Sequence, residues 1–125
     1  SNNLRLEFFE TAYHAFKERP FWGFGYRNFE PNVIDLKKKY NITMAPDMAG
    51  HAHNNFLEHL ASTGIIGALA FLLFCLFWTI DSYKRKDIAG KIIFPVTISF
   101  MVSGMLQYTF GDGENLFLLM LLWAI

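Results

Sequence analysis

Two long stretches without a charged residue decide what this chain can fold into. Gly64 to Ile80, GIIGALAFLLFCLFWTI, runs for seventeen residues, and Ile92 to Phe110, IIFPVTISFMVSGMLQYTF, runs for nineteen. A third, Leu116 to Ile125, runs for ten. A helix needs about 20 apolar residues to cross a hydrocarbon core of roughly 30 Å. The first two runs meet that need with a little flanking sequence, and the third reads as the start of another span. The soluble alternative is a pair of core helices apolar on every side, and a chain of 125 residues has too little mass to bury them. The expected fold class is therefore all-α. Integral membrane helices cover about 64–80, 92–110 and a truncated 116–125, within a membrane unit 54–125. They follow an extracytoplasmic loop, residues 1–53, that carries an interfacial amphipathic helix. Such a chain reads as a piece of a longer multi-spanning protein.

Charge sets the orientation. The segment DSYKRKDIAGK, residues 81–91, holds Lys84, Arg85, Lys86 and Lys91, whereas no Lys or Arg occurs from Tyr40 to Thr63. Short loops rich in Lys and Arg stay cytoplasmic, so 81–91 faces in and the segment before Gly64 faces out. The next span returns outward, which puts GDGEN, Gly111 to Asn115, on the same side as His53. Formal net charge is zero, so no global field recruits nucleic acid. The single cysteine, Cys75, lies inside an apolar run and has no intrachain partner.

Residues 3–18 read as the amphipathic helix, with Leu4, Phe8, Ala12 and Phe16 on one stripe and His14 on the solvated side. Arg19-Pro20 ends it, because the residue before proline is biased out of the helical region. GFGYRNF, Gly23 to Phe29, reads as a tight turn; it lacks the third glycine and the strand of a dinucleotide fingerprint. Residues 20–50 are expected to be the least regular part, with Lys37 to Lys39 as a solvated face.

The chemistry concentrates in HAHNNFLEHLASTGIIG, His51 to Gly67. In a helix that starts near Asn54 and runs unbroken, His53, Leu57, Leu60, Gly64 and Gly67 stay within about 40° of one line. Small residues let another helix approach closely in lipid, so Gly64 and Gly67 are expected to pack against a neighbouring helix below His53. The helix N-terminus presents free N–H groups and a partial positive charge. That favours a neutral, basic His53 and an anion beside it. His51 and His59 read as caps or headgroup contacts. A metal site from His51, His53, His59 and Glu58 is not expected, because the spacing is not HExxH and no further ligand set is present.

HNNFLEHLASTGIIG resembles the signature of the O-antigen ligase and O-antigen polymerase superfamily: His, a polar residue, nine more, then Gly-x-x-Gly. His53, Asn54, Gly64 and Gly67 match it. Upstream, Arg5 opening a helix and Pro20, Gly23 and Gly25 closing it are similar to the family's arginine block, with Phe8 where many relatives carry Trp; GDGENLF also has a familiar pattern. The resemblance implies a multi-pass protein of the bacterial inner membrane with its site on the periplasmic face. It implies transfer of a glycan from an undecaprenyl-diphosphate carrier to lipid A-core, a growing glycan chain or a protein. No cofactor or metal is implied, and partners are the lipid-linked donor, a glycan, lipid or protein acceptor, and membrane lipids. His53 would be the general base and Arg5 would bind the diphosphate. Asn54, Arg27, Asp112 and Glu114 would contact substrate. Such a segment alone is expected to be inactive. A polytopic transporter or flippase for a lipid-linked glycan is the alternative; it would show structural repeats in the full chain, and none is visible here.

The orientation has a direct test. In intact cells, cysteine at Ser82 should resist an impermeant thiol reagent while cysteine at Ala49 reacts. The opposite pattern would invert the topology.

Overall fold

The structure, a computed structural model, describes residues 2–42 and 45–124. Five helices follow in order: α1 Asn2–Glu18, α2 Phe29–Lys39, α3 Asn55–Lys84, α4 Ile88–Gly104 and α5 Gly113–Trp123. Among the described residues there is no strand. One of these helices, α3, is long and apolar enough to cross a membrane, and only 28% of its most apolar window is buried. Its outward side chains include Leu69, Leu72, Leu73, Leu76 and Phe77, all exposed. A core helix of a soluble domain would be mostly covered.

The helix expected to run unbroken is broken. Gly64 sits at φ 67°, ψ −166°, a region of backbone space open essentially to glycine alone. The break frees the carbonyls of Ala61 and Ser62, and the turn after α1 takes them up. Phe24 N–H donates to Ala61 at 3.0 Å, Gly25 N–H donates to Ser62 at 2.7 Å, and Ile65 N–H donates back to the Pro20 carbonyl at 2.8 Å. The glycines fit this exchange. A Cβ on Gly23 (φ 64°) would lie 2.5 Å from the Ser62 carbonyl carbon, and one on Gly64 would fall on the backbone of Phe21. The close approach expected at Gly64 is therefore real, but its partner is a loop rather than a helix. A Cβ on Gly67 would meet its own helix's Thr63.

The break divides the packing. Above it, Ala61 and the preceding Ala52 join Phe8, Ala12 and Ala15 of α1 and Phe29, Val33 and Leu36 of α2 in one buried cluster. Below it, Trp78 of α3 packs with Ile93 and Phe100 of α4 and Leu119 of α5.

Helix α2 departs from the expectation of an irregular 20–50, although the Gly23 to Asn28 turn stands. Pro31 lies in its first turn, where a missing N–H costs nothing. Glu30 in the first turn and Lys37 to Lys39 in the last suit the helix dipole. Lys37 is not solvated but fully buried. Its Nζ donates to Glu7 Oε2 at 3.2 Å and to the Ala45 carbonyl at 3.1 Å, and lies 4.2 Å from the centre of the Phe8 ring. Burial of an ammonium requires such complete pairing. Lys39 does stay outside, on Glu18, whose carboxyl it holds below the usual range together with the Tyr40 hydroxyl. His14 stacks on Tyr40 at 3.9 Å.

Helix α4 also differs from the expected 92–110. It starts earlier because Asp87 caps it, accepting from Gly90 N–H at 2.9 Å. It ends at Gly104, and residues 105–112 form a turn. At the other end of α3, Ser82 is buried and bonded to the Thr79 carbonyl, so burial alone would shield a thiol there. Lys86 and Ala49 are both exposed, and Lys86→Cys against Ala49→Cys is the labelling pair that reads topology.

The break predicts a stability difference. In the full-length protein, Gly64→Ala should lower thermal stability by about 1–3 kcal/mol or more from backbone strain. Gly113→Ala, where a Cβ would meet nothing within 4 Å, should stay within about 0.5 kcal/mol. Equal melting of the two variants would contradict the strained break.

Candidate functional site

Three segments meet above the break: the 51–55 approach to α3, the 105–110 turn after α4, and the 26–30 entry to α2. Asn54 is the N-cap of α3. Its Oδ1 accepts from Leu57 N–H at 3.0 Å, and its Nδ2 donates to the Met105 carbonyl at 2.8 Å. Asn55 is buried; its Nδ2 donates to Thr109 Oγ1 at 2.9 Å and its Oδ1 accepts from Phe110 N–H at 3.1 Å. Gly104 leaves room for this, since a Cβ there would strike the Asn55 amide. The two asparagines thus grip the turn at both ends.

His53 precedes the cap in a left-handed conformation, φ 49°. Its Nδ1 lies 3.1 Å from Gln107 Oε1. The Phe8 ring meets it edge-on at 5.7 Å, and the His51 ring does so at 4.3 Å. Its backbone N–H donates to His51 Nδ1 at 3.3 Å. Nε2 of His53 has no hydrogen-bond partner among the described residues.

Glu58, one turn into α3, ties the approach down. It is buried, accepting from Ala52 N–H at 2.8 Å and from Ser62 Oγ at 3.1 Å. Both carboxylate oxygens are engaged in holding backbone and helix together. Among the described residues no group of three or more His, Cys, Asp or Glu is placed to hold a metal ion.

Beside His51 lies a cavity of about 90 Å³ lined by Arg27, Glu30, His51, Glu58, Tyr108, Gly111 and Asp112. Burial holds the His51 imidazole below the usual histidine range, and the neighbouring His53 adds to this. Burial also pushes the Tyr108 phenol up, with the Glu58 carboxylate acting in the same sense. Arg27 adopts φ 59° at this wall.

The candidate residues therefore separate. Arg27 and Asp112 share the cavity, which His51 faces. Asp112 also stands at the N-cap position of α5, where its Oδ2 accepts from Asn115. Arg5 is exposed on α1, three residues before Phe8, whose ring meets His53. Glu114 is exposed in the first turn of α5 and does not line the cavity. Both polar ends of the Asn54 side chain are spent on the cap and on Met105. His59 is buried against Phe71 and Phe110, away from this group, with Nε2 unpaired. Gln107, Tyr108 and Glu30 escaped sequence reasoning. Gln107 and Tyr108 sit inside a run counted as apolar because it lacks formal charge, and Glu30 sits between an aromatic and a proline.

A profile of the O-antigen ligase family matches residues 1–72, from α1 through His53 and the Asn54 cap and past the Gly64 break. The chain belongs to the O-antigen ligase family. It is also 28% identical over 115 residues to an uncharacterized protein of Haemophilus influenzae, covering 87% of this chain. The chain spans about 28% of that relative's length. No solved structure matches it. The elements that the family match covers are those that carry His53, Arg5 and Arg27.

Proposed function

We propose that this segment carries the catalytic histidine of a membrane glycosyltransferase that moves a glycan from a lipid diphosphate to an acceptor hydroxyl. The observation that carries the reading is His53. Its ring is held on one side by Gln107, Phe8 and His51 while Nε2 has no partner among the described residues, at the mouth of α3, the one helix among the described residues long and apolar enough to cross a bilayer. Family membership supplies the chemistry: O-antigen ligases imply lipid-linked glycan substrates.

On this reading α3 spans the inner membrane, 81–91 is cytoplasmic, and the His53 end lies in the periplasm. The acceptor O–H gives its proton to His53 Nε2 as the oxygen attacks the anomeric carbon from the face opposite the diphosphate. The bond from that carbon to the phosphate oxygen breaks, and the lipid diphosphate leaves with the electron pair. Base catalysis of this kind contributes about 10²–10⁴-fold. Arg5, exposed on the helix that also presents Phe8 to the histidine, meets the departing diphosphate; its planar fork suits paired phosphate oxygens. Arg27 and Asp112, at the cavity beside His51, contact the sugar or acceptor, and Glu114 contributes from the outer rim. The acceptor itself, lipid, glycan or protein, is set by the remainder of the protein.

In the full-length protein, His53→Ala should lower transfer by about 10²-fold or more at normal membrane abundance. Arg5→Lys should also impair it, because the charge stays and the fork is lost. His59→Ala should be much milder per molecule, since that ring packs on Phe71 and Phe110. Glycan attachment in cells, measured beside protein level, gives the answer. Near-normal transfer by His53→Ala would sink the base assignment, and equal loss from His59→Ala would point to a structural cluster of histidines.

A further inference from the structure

We propose that Gln107 is a positioning residue that fixes the tautomer of His53, and that the two asparagines after the histidine serve to place it. The inference rests on the proposed base role of His53. A neutral imidazole is a base at only one nitrogen, and the hydrogen bond made by the other nitrogen decides which. Gln107 Oε1 lies 3.1 Å from His53 Nδ1. A carbonyl oxygen accepts only, so it requires the proton on Nδ1 and leaves the lone pair on Nε2, the nitrogen without a partner. When Nε2 takes a proton, the Nδ1–H···O=C bond becomes charge-assisted and strengthens. Gln107 thus favours the protonated ring that forms during transfer without competing for the proton.

The adjacent histidine is set the other way. His51 Nδ1 accepts the His53 backbone N–H at 3.3 Å, so its proton sits on Nε2. The two neighbouring rings hold opposite tautomers, which is a specific signature.

Gln107 is far in sequence from His53 and sits on a turn, so something must hold it. Its backbone N–H donates to the Ser103 carbonyl at 2.9 Å and its backbone carbonyl accepts from Thr109 N–H at 3.0 Å. On one side of it Asn54 holds Met105; on the other Asn55 holds Thr109 and Phe110. The His-Asn-Asn triplet then has a division of labour. The histidine reacts, Asn54 caps the helix and anchors one end of the turn, and Asn55 anchors the other.

The test uses full-length protein labelled with ¹⁵N-histidine, under mildly alkaline conditions where the rings are neutral. The His53 signals are assigned by their loss in His53→Gln. The wild type should show His53 as Nδ1–H and His51 as Nε2–H. Gln107→Met, which keeps length without an acceptor, should move His53 toward Nε2–H and leave His51 unchanged. Gln107→Glu keeps an acceptor and should keep Nδ1–H. In transfer assays Gln107→Met should lower kcat by about tenfold or more with KM unchanged, and Gln107→Glu should recover much of it. An Nε2–H tautomer at His53 in the wild type, or no change in Gln107→Met, overturns the proposal. Normal transfer by His53→Ala with the tautomers as expected would instead overturn the base role and leave the Gln107 contact standing.

Discussion

The structure turns on an exchange of three backbone hydrogen bonds at Gly64. An α-helix in apolar surroundings must satisfy its own N–H and C=O groups, because each one left bare costs several kcal/mol. Here the helix gives up that closure, and the Pro20–Gly25 turn restores it from outside: Phe24 and Gly25 donate into the gap, and Pro20 accepts from below it. The cost of the break is thereby offset, and the turn is fixed in return. Everything upstream inherits its place from that turn. Arg27 and α2 follow it directly, and α1 ends in it. The break also lets the first three turns of α3 serve the cluster with α1 and α2, while the remainder serves α4 and α5.

Above the break the site is assembled from polar side chains used as struts. Asn54, Asn55 and Glu58 spend their donors and acceptors on backbone and neighbouring side chains. Lys37 pairs with Glu7 Oε2 between α1 and α2 against the Phe8 ring, which in turn meets His53, while Glu7 Oε1 stays buried without a hydrogen-bond partner among the described residues. Breaking one partner of such a buried pair is strongly destabilising, so these contacts enforce one geometry rather than add much net stability. Among these groups the His53 ring has Nδ1 at Gln107 and Nε2 without a hydrogen-bond partner among the described residues, which is where the proposed base must be open.

Much of this was legible in the sequence, and the exceptions have definite causes. The stripe of α1 and the apolar length of α3 follow from periodicity and bilayer dimensions, and the His53-to-Gly67 pattern pointed to the family that the profile match now shows. The break was not legible, because glycine at 64 satisfies both a close helix contact and a left-handed φ, and spacing alone cannot separate them. Helix α2 was hidden because 20–50 was expected to be the least regular part, although Pro31 within the first turn is compatible with a helix start. The burial of Lys37 depends on Glu7, thirty residues away, which no local window includes. Gln107 was hidden for a similar reason: Asn55, 54 residues upstream of Thr109, pulls the end of an apparently apolar run into a turn.

Hydrogen exchange on the full-length protein, resolved to single amides, addresses the central claim most directly. If the turn closes the break, the Phe24, Gly25 and Ile65 amides should exchange as slowly as the interior of α3, although the first two lie outside any helix. Exchange of Phe24 and Gly25 as fast as the exposed loop around Ala49 would contradict it, and would leave the position of Arg27 and α2 at the cavity beside His51 without a physical basis.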